Sequence, residues 1–171
     1  NITKYLEIAL VVMLCLMFVA PEIVKIMATK QYYSGIYMIP PLVFASYEMY
    51  MYTVYVNVEY YYKSTKYIAF NTIVAAITNI VLNFIFVPLY GGMAACFTTV
   101  ISYMVSFLMH SKHSRKLDRE LFPLKQFAVP TLIFIIAIII AYLLMEFWIV
   151  RWIIAIVGSV SYTHLRAHET K

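Results

Sequence analysis

The sequence predicts an all-α protein, a polytopic bundle of membrane-spanning helices. Hydrophobic residues make up 64% of the 171 residues and charged residues only 12%, whereas a soluble domain carries about 25% charged residues. The apolar runs are long enough to cross a hydrocarbon core of about 30 Å, and the cations lie at the ends of these runs. These observations exclude a soluble enzyme and a disordered chain, and the dispersed cations argue against a nucleic-acid partner.

Hydropathy over windows of about 20 residues predicts six spans. They lie near residues 6–27, 37–58, 67–87, 92–110 and 127–145, with a sixth that starts at Phe147 and is cut short. We therefore divide the chain into four transmembrane helices within residues 1–112, a basic loop at 113–126, a truncated helical hairpin at 127–159 and a tail at 160–171. The chain begins at Asn1 without a signal peptide, and we expect it to be part of a longer protein.

The charged loop that follows the fourth span sets the predicted orientation. Its cations are Lys112, Arg115, Lys116, Arg119 and Lys125, against only two acidic residues. The positive-inside rule places this loop in the cytoplasm, and alternation then places Lys63 and Lys66 inside and the PLYGG turn outside. Lys25 and Lys30 fall on the outer side and count against this assignment.

Polar residues of the third span lie on one half of the predicted helix. At 100° per residue, Asn71, Asn79 and Asn83 share a face, and the opposite face is formed by isoleucine, valine and phenylalanine. An unsatisfied amide in hydrocarbon costs several kcal/mol, so we expect Asn79 and Asn83 to bind other helices or a polar lumen. Pro88 is predicted to end this helix, and the following glycines to reverse the chain.

The fourth span carries an arc of small side chains, which favours close packing against a neighbouring helix. The arc consists of Ala94, Ala95, Thr98, Thr99, Ser102 and Ser106.

The second span differs because it carries two polar stripes on roughly opposite faces. One stripe contains Ser46, Tyr50, Thr53 and Asn57, and the other contains Glu48, Tyr52, Tyr55 and Glu59. Such a helix should be buried on two sides, with one stripe packed on a neighbour and the other lining a polar cavity. Glu48 is either a coupling residue or a structural carboxyl group, whereas we expect Glu59 to be solvated at the interface. The candidate cavity or coupling residues are Glu48, Tyr52, Tyr55, Asn71, Asn79 and Asn83.

Neither the cysteines nor the histidines predict a metal site or a cofactor. Cys15 and Cys96 lie in apolar runs, where a thiol behaves as a small hydrophobic group. His110 and His113 are interpreted as solvated residues of the basic loop. The tail VSYTHLRAHET has two histidines at helical spacing, but it resembles the in-frame translation of a transposase-adapter oligonucleotide, so we expect residues 160–171 to be non-native.

The run from Lys66 to His110, KYIAFNTIVAAITNIVLNFIFVPLYGGMAACFTTVISYMVSFLMH, resembles the bacterial polysaccharide and oligosaccharide flippases. These belong to the multidrug/oligosaccharidyl-lipid/polysaccharide superfamily. The shared features are LN, VP, YG, AA and TT followed by ISY, and the resemblance extends over about residues 5–112. Many members carry another glycine where this chain has Ala94, a departure that concerns packing.

The resemblance implies that the chain is part of the second lobe of a two-lobe transporter, with its first four spans near the ninth to twelfth of the whole protein. Its function would be to flip lipid-linked oligosaccharide across the bacterial cytoplasmic membrane for cell-surface polysaccharide synthesis. The implied partners are this substrate, membrane lipids, the missing N-terminal lobe and a coupling proton or sodium ion. The cations that hold the substrate headgroup are expected on helices absent here, and Arg151 is expected to snorkel to the interface.

Two alternatives remain open at this stage. A cation-coupled multidrug exporter of the same superfamily would require more membrane carboxylates than Glu48 alone. A membrane-embedded glycosyltransferase or protease would require paired carboxylates or an HExxH helix, and the chain has a single aspartate, Asp118, and no such motif. We therefore expect a transporter fragment that is inactive alone, and no enzyme.

Overall fold

The structure, a computed structural model, describes the backbone over residues 2–119 and 125–169. Side chains are described over residues 4–119, 126–158 and 160. The elements are α1 (Ile2–Met27), a 3-10 helix (Lys30–Met38), α2 (Ile39–Tyr61), α3 (Thr65–Tyr90), α4 (Gly92–Leu117), α5 (Lys125–Leu143) and α6 (Trp148–Glu169). The prediction of an all-α chain is confirmed for the described residues.

Within the part of the chain that the structure describes, four helices are long and apolar enough to cross a membrane, which confirms the prediction of a polytopic helical bundle. They are Lys4–Met27, Thr65–Tyr90, Gly92–Leu117 and Gln126–Leu143. The predicted second span is present as α2, which has 23 residues but a more polar sequence than these four. This helix lies in the middle of the bundle, in contact with α1, α3, α4 and α5. Protein neighbours, more than lipid, therefore form its surroundings.

The α2 and α4 helices form the most extensive contact of the bundle, and they run parallel. Tyr52 packs against Tyr103 with ring centroids 5.8 Å apart, and Glu59 pairs with His110, so both pairs are offset by 51 residues. The α3 helix, which lies between α2 and α4 in the sequence, runs antiparallel to both. The α3 residues that were predicted to face lipid, including Ile77 and Phe84, are exposed on the bundle surface.

Successive helices end on alternate sides of the bundle, as predicted. At one side, the Tyr62 hydroxyl donates to Asp118 Oδ2 at 3.1 Å and joins the ends of α2 and α4. This hydrogen bond is the main reason why the pKa of Tyr62 lies above its ordinary value. At the other side, the Tyr142 hydroxyl donates to the Tyr37 carbonyl at 2.9 Å.

The α3–α4 turn corrects the prediction that Pro88 ends the third helix. The α3 helix continues through Pro88 to Tyr90, because a proline one turn from the end removes only one backbone hydrogen bond. Gly91 ends it with φ +67° and ψ −155°, a conformation that is essentially restricted to glycine. A Cβ at Gly92 would lie 2.8 Å from Met38 Cε, so the second glycine permits close approach of the 3-10 helix.

The basic segment is more helical than predicted, since α4 continues to Leu117. Arg115 and Lys116 lie in its last turn, where cations are favourable next to the helix carbonyls. Residues 120–124 of the predicted loop lie outside the described residues. The predicted non-native tail begins within α6, whose backbone is helical to Glu169, and its side chains from residue 161 onward lie outside the described residues. Its adapter origin stays a prediction.

Orientation can be tested with cysteine labelling of the full-length protein in intact cells, after Cys15 and Cys96 are replaced by alanine. Tyr90 and Lys116 are exposed and lie at opposite ends of α3 and α4. We expect a membrane-impermeant maleimide to label Tyr90→Cys and to leave Lys116→Cys unlabelled until the cells are opened. The reverse pattern would invert the topology.

Candidate functional site

Glu48 lies in the centre of the bundle, and its side chain is completely buried. Neither of its carboxylate oxygens has a hydrogen-bond partner among the described residues. It is the tenth residue of α2, so it lies roughly 14 Å along the axis from the first residue of the helix. The offset between α2 and α4 places it level with Thr99. The structure therefore contains a titratable group near the middle of α2 that the described residues leave without a hydrogen-bond partner.

The predicted stripe that contains Glu48 faces the neighbouring helices. The Tyr55 ring packs against Phe107 of α4 at 5.7 Å and Phe127 of α5 at 5.3 Å, and its backbone carbonyl accepts a 2.9 Å hydrogen bond from Ser114. Tyr52 is half-buried beside α4. Aromatic side chains thus pack between α2 and its neighbours α4 and α5 on the C-terminal side of Glu48.

The opposite stripe of α2 is largely exposed in the structure, although both stripes were predicted to be buried. Ser46, Thr53 and Asn57 are exposed, and Tyr50 is half-buried. Ser46 and Thr53 donate to the Leu42 and Met49 carbonyls of their own helix, at 3.0 and 2.7 Å. Their hydroxyl groups are thus bonded within α2, and the face that they share with Asn57 is exposed.

Glu59 and His110 correct two predictions, because both residues are fully buried and were expected to be solvated. His110 Nδ1 lies 2.6 Å from Glu59 Oε2, and Asn71 Nδ2 lies 3.5 Å from the same nitrogen. The Tyr52 ring stacks on the imidazole at 5.7 Å. Three helices, α2, α3 and α4, therefore meet at this pair.

The geometry of the pair allows one proton to be shared between imidazole and carboxylate. A single hydrogen bond joins Nδ1 and Oε2, with either the imidazole N–H donating to the carboxylate or a carboxylic acid donating to the imidazole nitrogen. The outer atoms, Glu59 Oε1 and His110 Nε2, are buried without a hydrogen-bond partner among the described residues. His113, also expected to be solvated, is half-buried and stacks on Tyr67 at 3.8 Å.

The sequence contains a pattern that indicates the burial of His110. The small-residue arc of α4 continues at a spacing of four through the start of the basic segment. Its buried members are Thr98, Ser102, Ser106, His110 and Ser114. The cations between these buried positions obscure the periodicity, because a run of cations is typical of a solvated loop.

Asn83 has the predicted partner on another helix, whereas Asn79 is hydrogen-bonded to Asn83 of its own helix. Asn83 Nδ2 donates to Asn79 Oδ1 at 2.9 Å, and the Thr98 hydroxyl donates to Asn83 Oδ1 at 2.6 Å. This network ties α3 to α4. It lies more than two helical turns from Asn71, so the six candidate residues do not form one site. Glu48, Tyr52, Tyr55 and Asn71 belong to the interior of the bundle, and Asn79 and Asn83 to the C-terminal half of α3.

Arg151 corrects the expectation that it snorkels to the interface, because only 1% of its side chain is exposed. Its Nη2 pairs with Glu22 Oε1, and its Nη1 donates to the Phe18 carbonyl at 3.2 Å. Trp152 Nε1 donates to Glu22 Oε2 at 3.2 Å. Two of the three guanidinium nitrogens thus have partners on α1, so α6 is held by an ion pair where a snorkelling cation was predicted.

Among the side chains of residues 4–119, 126–158 and 160, no group of three or more histidine, cysteine, aspartate or glutamate residues could hold a metal ion. Comparison with known proteins returned no matching family model, curated protein or solved structure.

The Asn83–Thr98 hydrogen bond can be tested with a matched pair of variants. Thr98→Val removes the donor to Asn83, whereas Thr99→Val removes a hydroxyl that donates only to the Ala95 carbonyl of its own helix. We expect Thr98→Val to lower the free energy of unfolding by about 1 kcal/mol more than Thr99→Val does. Equal losses, measured by unfolding in mixed micelles, would contradict the interhelical role.

The Glu59–His110 pair predicts strong coupling in a double-mutant cycle. Glu59→Leu or His110→Leu leaves a buried polar partner unpaired, and each should cost about 3 kcal/mol of unfolding free energy. The double variant removes both polar groups, so it should cost far less than the sum of the single losses. Additive losses would show that the two side chains do not interact.

Proposed function

We propose that this chain belongs to a transporter that flips lipid-linked oligosaccharide across a bacterial cytoplasmic membrane, and that Glu48 carries the coupling proton or cation. The observation that carries this proposal is the complete burial of Glu48 with both oxygens unpartnered among the described residues. A charged carboxylate at the bilayer centre costs roughly 2.5 to 3.5 kcal/mol on insertion scales. A purely structural glutamate would offset this cost with hydrogen bonds, which Glu48 does not make.

The exposed stripe of α2 supports a transport role. Ser46, Thr53 and Asn57 present polar atoms on a helix whose neighbours α1, α3, α4 and α5 are apolar enough to face lipid. A polar face at membrane depth fits against another protein lobe or a water-filled cavity better than against hydrocarbon. In a two-lobe transporter, this stripe would face the first lobe across the substrate path.

The resemblance of residues 66–110 to polysaccharide flippases supports the substrate class. The α3–α4 hairpin contains most of that resemblance, and in the structure it forms a tight unit closed by Gly91 and by the Asn83–Thr98 hydrogen bond. A rigid hairpin at this position would transmit movement between the two ends of the lobe. A lipid-linked oligosaccharide would bind mainly to the other lobe, since the described part of this chain buries only one arginine and no lysine.

The experiment replaces Glu48 by glutamine in the full-length protein, which preserves shape and hydrogen bonding and removes the titratable proton. We expect Glu48→Gln to abolish polysaccharide export while membrane insertion and expression stay normal. Glu146 is exposed near the outer end of α5 and supplies the control, so Glu146→Gln should export normally.

Normal complementation of export by Glu48→Gln across the working pH range would refute the coupling role. Export that survives loss of the gene, together with Glu48-dependent resistance to cationic drugs, would instead assign the protein to the multidrug exporters of the same superfamily.

A further inference from the structure

An open groove of about 610 Å³ lies at the end of α4 that carries the positive charges. Its volume is within the range of small-molecule sites. Its lining consists of Leu108, Ser111, Lys112, Arg115, Lys116 and Arg119. Four of these six residues are cations and none is acidic, so the groove is an anion-attracting surface.

The groove cations are available to a ligand. Lys112, Arg115, Lys116 and Arg119 are all exposed. The ion pairs of the described residues connect Glu22 to Lys25 and Arg151, and Glu59 to His110, so they leave the groove cations unpaired. Asp118 lies beside the groove in sequence, but it accepts a hydrogen bond from Tyr62.

The groove continues directly into an apolar stripe on the same helix. Phe97, Ile101 and Leu108 are exposed, and at 100° per residue they fall within the same third of the helix circumference as Lys112 and Arg115. Leu108 itself lines the groove. A membrane-spanning helix thus presents an apolar stripe that ends, within about one turn, in a cluster of cations.

We propose that this groove binds the headgroup of an anionic phospholipid, with the acyl chains along the Phe97–Leu108 stripe. The lipid phosphate would accept hydrogen bonds from Arg115, whose planar fork matches two phosphate oxygens, and charge-assisted bonds from Lys112 and Lys116. Clusters of cations at the cytoplasmic end of a membrane helix attract anionic lipids by roughly 1 kcal/mol for each charge.

The apolar stripe favours a membrane lipid over a soluble anion or a nucleic acid. A free phosphate would use the cations alone, and a nucleic acid would require a basic surface that extends into water, away from the bilayer. Only a lipid uses both halves of the surface at once. The proposal is independent of the transport function, because it requires only that α4 spans a membrane.

The test compares two double variants of the full-length protein, purified in neutral detergent. Lys112→Gln/Lys116→Gln removes two groove cations. Lys63→Gln/Lys66→Gln removes two exposed cations from the same side of the bundle that do not line the groove. Phosphatidylglycerol is titrated into each protein, and bound lipid is counted by native mass spectrometry, with phosphatidylcholine and inorganic phosphate as the other ligands.

We expect the groove variant to bind phosphatidylglycerol about thirtyfold more weakly than the parent protein, since each cation contributes about fivefold. The control variant should retain nearly the parent affinity, and phosphatidylcholine should bind all proteins weakly. Equal losses in the two variants, or equal binding of phosphatidylcholine, would overturn the proposal. Inorganic phosphate that bound as tightly as the lipid would overturn it too, because the apolar stripe would then contribute nothing.

Discussion

The packing of α2 against α4 is the constraint on which the rest of this bundle depends. A helix with Glu48 and Glu59 on one face cannot lie against lipid at that face, because an uncompensated carboxylate in hydrocarbon is too costly. The small residues of α4 let the two helices approach, and Ser114 and His110 supply hydrogen-bonding partners for α2. The apolar helices α1, α3 and α5 make the other helix contacts of the polar α2.

This arrangement treats the two glutamates of α2 differently. Glu59 has a cationic or hydrogen-bonding partner in His110, so its burial is compensated and its role is to hold helices together. Glu48 has no such partner among the described residues, and its burial is a cost that packing alone does not offset. The same helix therefore separates a structural carboxyl group near its C-terminal end from a candidate coupling group near its centre.

Ion pairs and hydrogen bonds between helices occur at both ends of the bundle, where they fix helix order. Arg151 with Glu22 joins α6 to α1, and Tyr62 with Asp118 joins the ends of α2 and α4. In a membrane, where helix association gains little from the hydrophobic effect, such polar contacts and close packing supply the specificity. The exposed cations of the α4 groove form no ion pair among the described residues, so they are available to an external anion.

The sequence by itself determined the all-α membrane class and the positions of the helices, because long apolar runs and their charged ends are local properties. It also showed that Asn79 and Asn83 need partners, and the lipid-facing side of α3 followed from its periodicity. Only the tertiary structure decided which polar groups meet. Glu59, His110 and Arg151 were expected at interfaces, since a charge near the end of a span ordinarily reaches water. Their burial depends on partners that lie 51 residues away for Glu59 and 129 for Arg151, and no local pattern encodes those contacts.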